Sequence, residues 1–225
     1  MSSPLLLAEE LFLLAHDDES GKSDNTMGLT NGLAGALLLD LAADERLTAS
    51  GKDLTAVGSA PAHPLSAAAH AEIAASAKSR TASHWVGRLP AALKPLDQQV
   101  GRSLAERGVL SEQHKKVWGL FPTTTWPEVN PEPERTLRER LTAVLVDGAH
   151  PDVRTALLIA LLKPLGLVRG VVGKQHKKQA EARAKEIADA GAVGIAVSAA
   201  VSQSVQAVQL AVVTAVIVPT VVTSN

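Results

Sequence analysis

Apolar residues recur along this chain with the period of a helix almost everywhere. Leu7, Leu11 and Leu14 follow Pro4 at helical spacing and predict an amphipathic first helix, closed by the polar turn "HDDESGK". The next stretch, "GLTNGLAGALLLDLA" over 28–42, is apolar on every side except for Asp40, with Asn25 or Thr26 placed to cap its start. A helix apolar all round is either buried in a helical domain or spans a membrane. The run Leu29–Ala43 is shorter than the roughly 20 residues a span needs. Its small residues Gly32, Ala34, Gly35 and Ala36 let a neighbouring helix come close, so it is read as the centre of a bundle. Asp40, buried there, needs a partner, and Arg46 stands nearest in sequence.

Farther along, 48–66 reads as a loop with a short hairpin, and 66–80 as an Ala-rich helix. "SHWVGRLP" reads as a short helix stopped at Pro90. Leu96, Val100 and Leu104 form the inward stripe of a helix that starts at Pro95 and stops at Gly108. About 115–130 a β-hairpin is expected, with Trp118, Leu120, Phe121 and Trp126 as an exposed apolar set. Leu137, Leu141, Val144 and Leu145 mark another amphipathic helix. "PDVRTALLIALLKPLGLVRGVV" is strongly apolar and breaks near Pro164, and "GKQHKKQAEARAKEIADA" is charged. From Ala190 to Asn225 no residue is charged. Ser202, Gln203, Ser204, Gln206 and Gln209 interrupt that tail, which favours a packed core helix over a transmembrane span.

The pattern therefore predicts an all-α protein, a single domain over 1–225 with one protruding hairpin. Composition agrees: 46% of the 225 residues are hydrophobic and only 2% aromatic, so Leu, Val, Ile and Ala must build the core. The net charge of -1 gives no reason to expect nucleic acid. The absence of Cys removes disulfides, thiolate metal sites and a cysteine nucleophile. Glu9 and Glu10 interrupt the first apolar run and no Lys or Arg precedes it, so it does not read as a secretory signal.

Candidate chemistry is sparse. The seven histidines include no pair at i,i+4 and no HExxH, so no metal and no cofactor is expected. Gly28, Gly32 and Gly35 lack the spacing of a phosphate loop, and Asp17, Asp18 and Glu19 lack that of a calcium loop. No nucleophile motif stands out, so nothing positive points to an enzyme. Basic residues remain. Lys115 and Lys116 flank the hairpin aromatics, and Lys174, Lys177 and Lys178 start the charged helix. Lysines beside exposed aromatics suit an anionic membrane surface, or a charged rim where the hairpin packs on another subunit. Lys94 precedes Pro95 at a helix start, where backbone N–H groups favour phosphate, although Asp97 in the first turn also answers the dipole.

Four separated blocks, "LLLAEELFLLAHDDESGK", "GLAGALLLDLAADERL", "LAERGVLSEQHKKVWGLFPTTTWPEVNPEPE" and "HPDVRTALLIALL", stand in an order that resembles the Golgi phosphoprotein 3 family, its bacterial members above all. The resemblance covers roughly residues 4–175. It implies a central helical bundle ringed by amphipathic helices with a hydrophobic hairpin. It also implies an adaptor rather than an enzyme, cytoplasmic and peripherally membrane-associated, whose partner is an anionic lipid such as phosphatidylinositol 4-phosphate. In the eukaryotic pattern a Trp precedes the Gly32–Gly35 block and an Arg lies within it; here Asn25 and Ala34 hold those places. The other two headgroup positions fall on Lys94 and Asp97. The resemblance thus leaves Lys94, with Lys115 and Lys116, as lipid-headgroup candidates, and Trp118, Leu120, Phe121 and Trp126 as the membrane- or partner-facing hairpin. The alternative is a protein–protein module that binds a cargo protein or a second copy through the hairpin, without lipid.

Overall fold

The computed structural model describes residues 4–16, 26–117, 121–190 and 199–217. At the centre lies helix α2 (Thr26–Ala43), against which α1 (Leu7–Ala15) and the tail helix α10 (Ala199–Ile217) pack. Leu33, Leu37, Leu38, Leu39 and Leu41 of α2 are fully buried, as an all-round apolar helix requires. Gly35 lets α10 approach: a Cβ there would run into the γ-methyl of Val212. Asn31 Nδ2 donates to the Ala215 carbonyl at 3.4 Å, and Ser204 Oγ donates to the Leu47 carbonyl at 3.4 Å. Over 199–217 the charge-free tail is therefore a core helix. Val205, Val208, Ala211 and Val212 are its buried face, and no helix among the described residues is long and apolar enough to cross a membrane.

Around this centre stand α3 (Pro64–Ala74), α4 (Ala82–Ala92), α5 (Leu96–Glu106), α6 (Glu132–Leu145), α7 (Val153–Leu162), α8 (Val168–Val171) and α9 (Lys177–Ala190). The predicted stripes face inward: Leu96, Val100 and Leu104 on α5, and Leu137, Leu141, Val144 and Leu145 on α6, are all buried. Gly108 follows α5 with φ 71°, the left-handed conformation that ends a helix without steric cost. Asp152 caps α7 by accepting from the Thr155 amide at 2.7 Å. A small antiparallel sheet, β1 (Leu47–Ser50), β2 (Asp53–Ala56) and β3 (Arg80–Thr81), covers one side, and β4 (Gln113–Val117) pairs with β5 (Phe121–Thr125) as the predicted hairpin.

Three expectations need correction. Pro90 does not stop α4, which runs on to Ala92; proline in the last turn forfeits one hydrogen bond, and Leu93 N–H still closes on Leu89 O at 2.8 Å. Helix α1 is not amphipathic, because all nine of its residues are buried, Glu9 and Glu10 among them. Arg46 is not the partner of Asp40; its guanidinium reaches Ser59 instead. Residues 17–22 of the expected turn "HDDESGK", with its acidic residues, and the capping residue Asn25 lie outside the described residues.

Candidate functional site

Two adjacent acids in a buried helix must be neutralised from different directions, and they organise one side of the molecule. Glu9 accepts Ser103 Oγ–H at 2.6 Å and the Leu6 amide at 2.8 Å, with Arg107 at 3.4 Å and His63 Nε2 at 3.5 Å. Burial alone would raise its carboxyl. The hydrogen bonds from His63, Ser103 and Leu6, with the Arg107 charge, outweigh that and hold it below the usual carboxylate range. Glu10 pairs with Arg140 at 3.1 Å and with Arg154 at 3.1 Å. Arg154 also reaches Asp40 at 3.4 Å, and the Leu7 amide donates to Asp40 at 2.8 Å. For Asp40 burial wins over Arg154 and the Leu7 amide, helped by the charges of Glu10 and Asp44, and its carboxyl is pushed up to about 7.

These side chains also hold the chain entering α1. Arg107 donates to the Pro4 carbonyl at 3.3 Å and Arg154 to that of Leu5, so the segment is held by main-chain bonds at successive residues. It forms one wall of a cleft of about 1230 Å³. The first turn of α3 and the preceding Pro61–His63 form a second wall; Lys94, Pro95 and the exposed side of α5 form a third; α6 closes it with Arg140. Of the four basic residues lining the cleft, three are engaged: Arg102 with Glu112, Arg107 with Glu9 and Arg140 with Glu10. Lys94 is exposed and makes no hydrogen bond or ion pair among the described residues.

Ser103, His63 and Glu9 meet in this wall, but not as a nucleophile relay. Glu9 Oε1 accepts a hydrogen bond from the Ser103 hydroxyl and also faces His63 Nε2, while His63 Nδ1 is occupied by the Leu65 amide. No ring nitrogen is free to relay the serine proton to an acid beyond it.

The predicted site residues separate. Lys94 lines the cleft. Lys115 and Lys116 lie on β4, paired in register with Thr123 and Pro122, and Phe121 starts β5 opposite Val117. Trp118 and Leu120 lie outside the described residues. Trp126 is a correction. It follows β5 rather than crowning the hairpin, and it is 5% exposed. Its indole stands edge-on to Phe12 with centroids 6.3 Å apart and lies over Gly101, so it anchors the base of the hairpin to α1 and α5. His70 Nε2 bonds the Val57 carbonyl at 3.1 Å, so it is an ordinary structural histidine. Glu9, Glu10, Arg107, Arg140 and Arg154 were not singled out as a group from sequence. Two acids inside an apolar helical run were the available signal, but their arginine partners sit 98 to 144 positions away.

The model of the Golgi phosphoprotein 3 (GPP34) family matches residues 7–208. The chain belongs to that family. The match runs from the start of α1 to the middle of α10, so it takes in the hairpin strands, the cleft lining from Glu10 onward and the first half of the tail helix. No curated protein matches the chain.

Proposed function

We propose that this Golgi phosphoprotein 3-type protein is a peripheral lipid-binding adaptor that meets an anionic bilayer through Lys94 and the β4–β5 hairpin. The observation that carries the reading is Lys94: an exposed ammonium at the rim of the cleft, just ahead of α5, without the acidic partner that each neighbouring arginine has. A desolvated phosphate ester would supply that partner. The hairpin adds Lys115 and Lys116 beside the apolar residues Trp118, Leu120 and Phe121 in sequence. Each lysine near an anionic surface contributes about 1 kcal/mol, so three lysines give micromolar-range attachment only when apolar burial joins them. A phosphoinositide is the headgroup the family resemblance suggests, and protein cargo would then be held at the membrane.

The test is vesicle co-sedimentation with neutral, phosphatidylserine and phosphatidylinositol 4-phosphate vesicles at low and high salt. Pelleting with anionic vesicles is expected and is lost at about 1 M salt, where the Debye length falls to roughly 3 Å. Lys94→Glu removes one positive charge and adds a negative one, which weakens binding by about 2 kcal/mol, roughly thirty-fold. A protein that pellets with no vesicle, or whose binding ignores both salt and Lys94→Glu, overturns the reading and leaves the hairpin as a protein-docking element.

A further inference from the structure

The first turn of α3 forms a wall of the cleft, and its capping is unusual. Its N-cap is His63, whose Nδ1 accepts from the Leu65 amide at 3.3 Å. Pro64 has no N–H, so the Leu65 amide is the first donor the helix must satisfy. Ser66, on the same turn, has a buried Oγ without a hydrogen-bond partner, so it does not help hold the turn. A ring that accepts at Nδ1 carries its proton on Nε2, and Nε2 faces Glu9 Oε1 at 3.5 Å and Ser103 Oγ at 3.4 Å. The neutral imidazole is thus wedged between a helix that needs an acceptor and a buried carboxylate that welcomes a donor.

We propose that His63 is a proton-sensitive cap: neutral, it accepts from the Leu65 amide and closes the first turn of α3 in the cleft wall, and protonated, it gives up that amide and turns to Glu9. The chemistry follows from the two nitrogens. A second proton can only go on Nδ1, where it abolishes the acceptor and sets N–H against N–H. It also puts a positive charge at the positive end of the α3 dipole. On the other side the imidazolium gains a charge-assisted bond to Glu9. Glu9 stays ionised because its carboxyl is held low. The charged groups facing the ring are accounted for. Glu9 comes from α1, and Arg107, just past the end of α5, occupies the other Glu9 oxygen at 3.4 Å. Asp44, Glu10, Lys94, Arg102, Glu106, Glu132 and Arg140 line the same cleft, and none of them makes a hydrogen bond or ion pair with the ring. Among the described residues, no hydrogen bond or ion pair joins the ring to α2, α4 or β2, the elements packed on α3. The proton therefore decides between two partners, the Leu65 amide of the cleft wall and the Glu9 carboxylate. This inference does not depend on lipid binding.

The experiment is an NMR titration of the full chain from pH 7.5 to 5.5. The Leu65 amide proton is expected to move upfield with the same midpoint as the His63 ring. In His63→Asn, which caps without titrating, it stays flat. The Thr155 amide, capped by an Asp152 carboxylate held below its usual range, is the internal control and also stays flat. A Leu65 amide that does not follow the ring, or that moves equally in His63→Asn, overturns the proposal. Long-range proton–nitrogen spectra of the wild-type ring give a check that needs no variant. A neutral ring protonated at Nε2 supports the proposal, and one protonated at Nδ1 rules it out.

Discussion

The docking of the tail helix α10 on α2 can be tested at one atom pair. Gly35→Ala places a methyl against Val212 Cγ2, with Val212 Cβ 3.5 Å and Leu161 Cδ2 3.8 Å from the same point. Val212 is 1% exposed and β-branched, so its methyl cannot swing clear without leaving its favoured rotamer. Such overpacking costs about 1–3 kcal/mol. Alanine in place of glycine inside a helix gives back about 1 kcal/mol, leaving Gly35→Ala up to about 2 kcal/mol less stable than the parent. In a Val212→Ala background the colliding methyl is gone. Val212→Ala alone costs about 1–2 kcal/mol from two lost methyl groups. Adding Gly35→Ala to it then realises the helix propensity and refills part of the cavity. The same substitution thus changes sign, destabilising the parent and stabilising Val212→Ala by about 1 kcal/mol, a coupling of about 1–3 kcal/mol. Urea unfolding of the four proteins, followed by far-UV circular dichroism, reads this directly. If Gly35→Ala stabilises both backgrounds by equal amounts, α10 does not rest on α2 and the tail belongs elsewhere.

Two further outcomes are expected alongside the vesicle and titration experiments above. The Asp40 carboxyl, pushed up from 3.8 to about 7, binds its proton more tightly folded than unfolded. Its contribution is therefore largest at low pH and is lost as pH rises through that window, by up to about 4 kcal/mol. Urea midpoints should be higher at pH 5 than at pH 7.5, and Asp40→Asn should flatten the slope; equal wild-type midpoints at the two pH values would contradict the buried, poorly compensated carboxyl. Gly101→Ala sets a methyl 2.6 and 2.7 Å from Trp126 Cδ2 and Cζ2, edges of a rigid ring. It should cost about 1–3 kcal/mol in thermal or chemical unfolding, and an unchanged midpoint would mean that the indole does not cover α5.

What the chain order of apolar residues determines by itself is which side of each helix is covered. The stripes of α5 and α6, the turn at Gly108, the hairpin and the all-round burial of α2 follow from local period and local turn chemistry. Even the tail was legible, because glutamines and serines in an apolar run are affordable in a packed core and costly in lipid. Period alone does not say what a buried polar group meets. Asp40 has Arg46 six positions away, yet its cation is Arg154, 114 positions away, because α7 brings Arg154 to it while Arg46 turns to Ser59. Glu9 and Glu10 made α1 look half-exposed; they are buried because Ser103, Arg107, Arg140 and Arg154 come in from three other helices. Trp126 reads as a hairpin tip by its neighbours in sequence and becomes an anchor because Gly101 on α5 leaves room for an indole. His63 reads as an ordinary histidine until the fold sets its two nitrogens against a helix end and a carboxylate. A sequence records the preference of each residue for water or for its own neighbours along the helix. Which charges cancel in the interior, and so where a cleft and a titratable cap arise, depends on distances between segments that only the packed chain fixes.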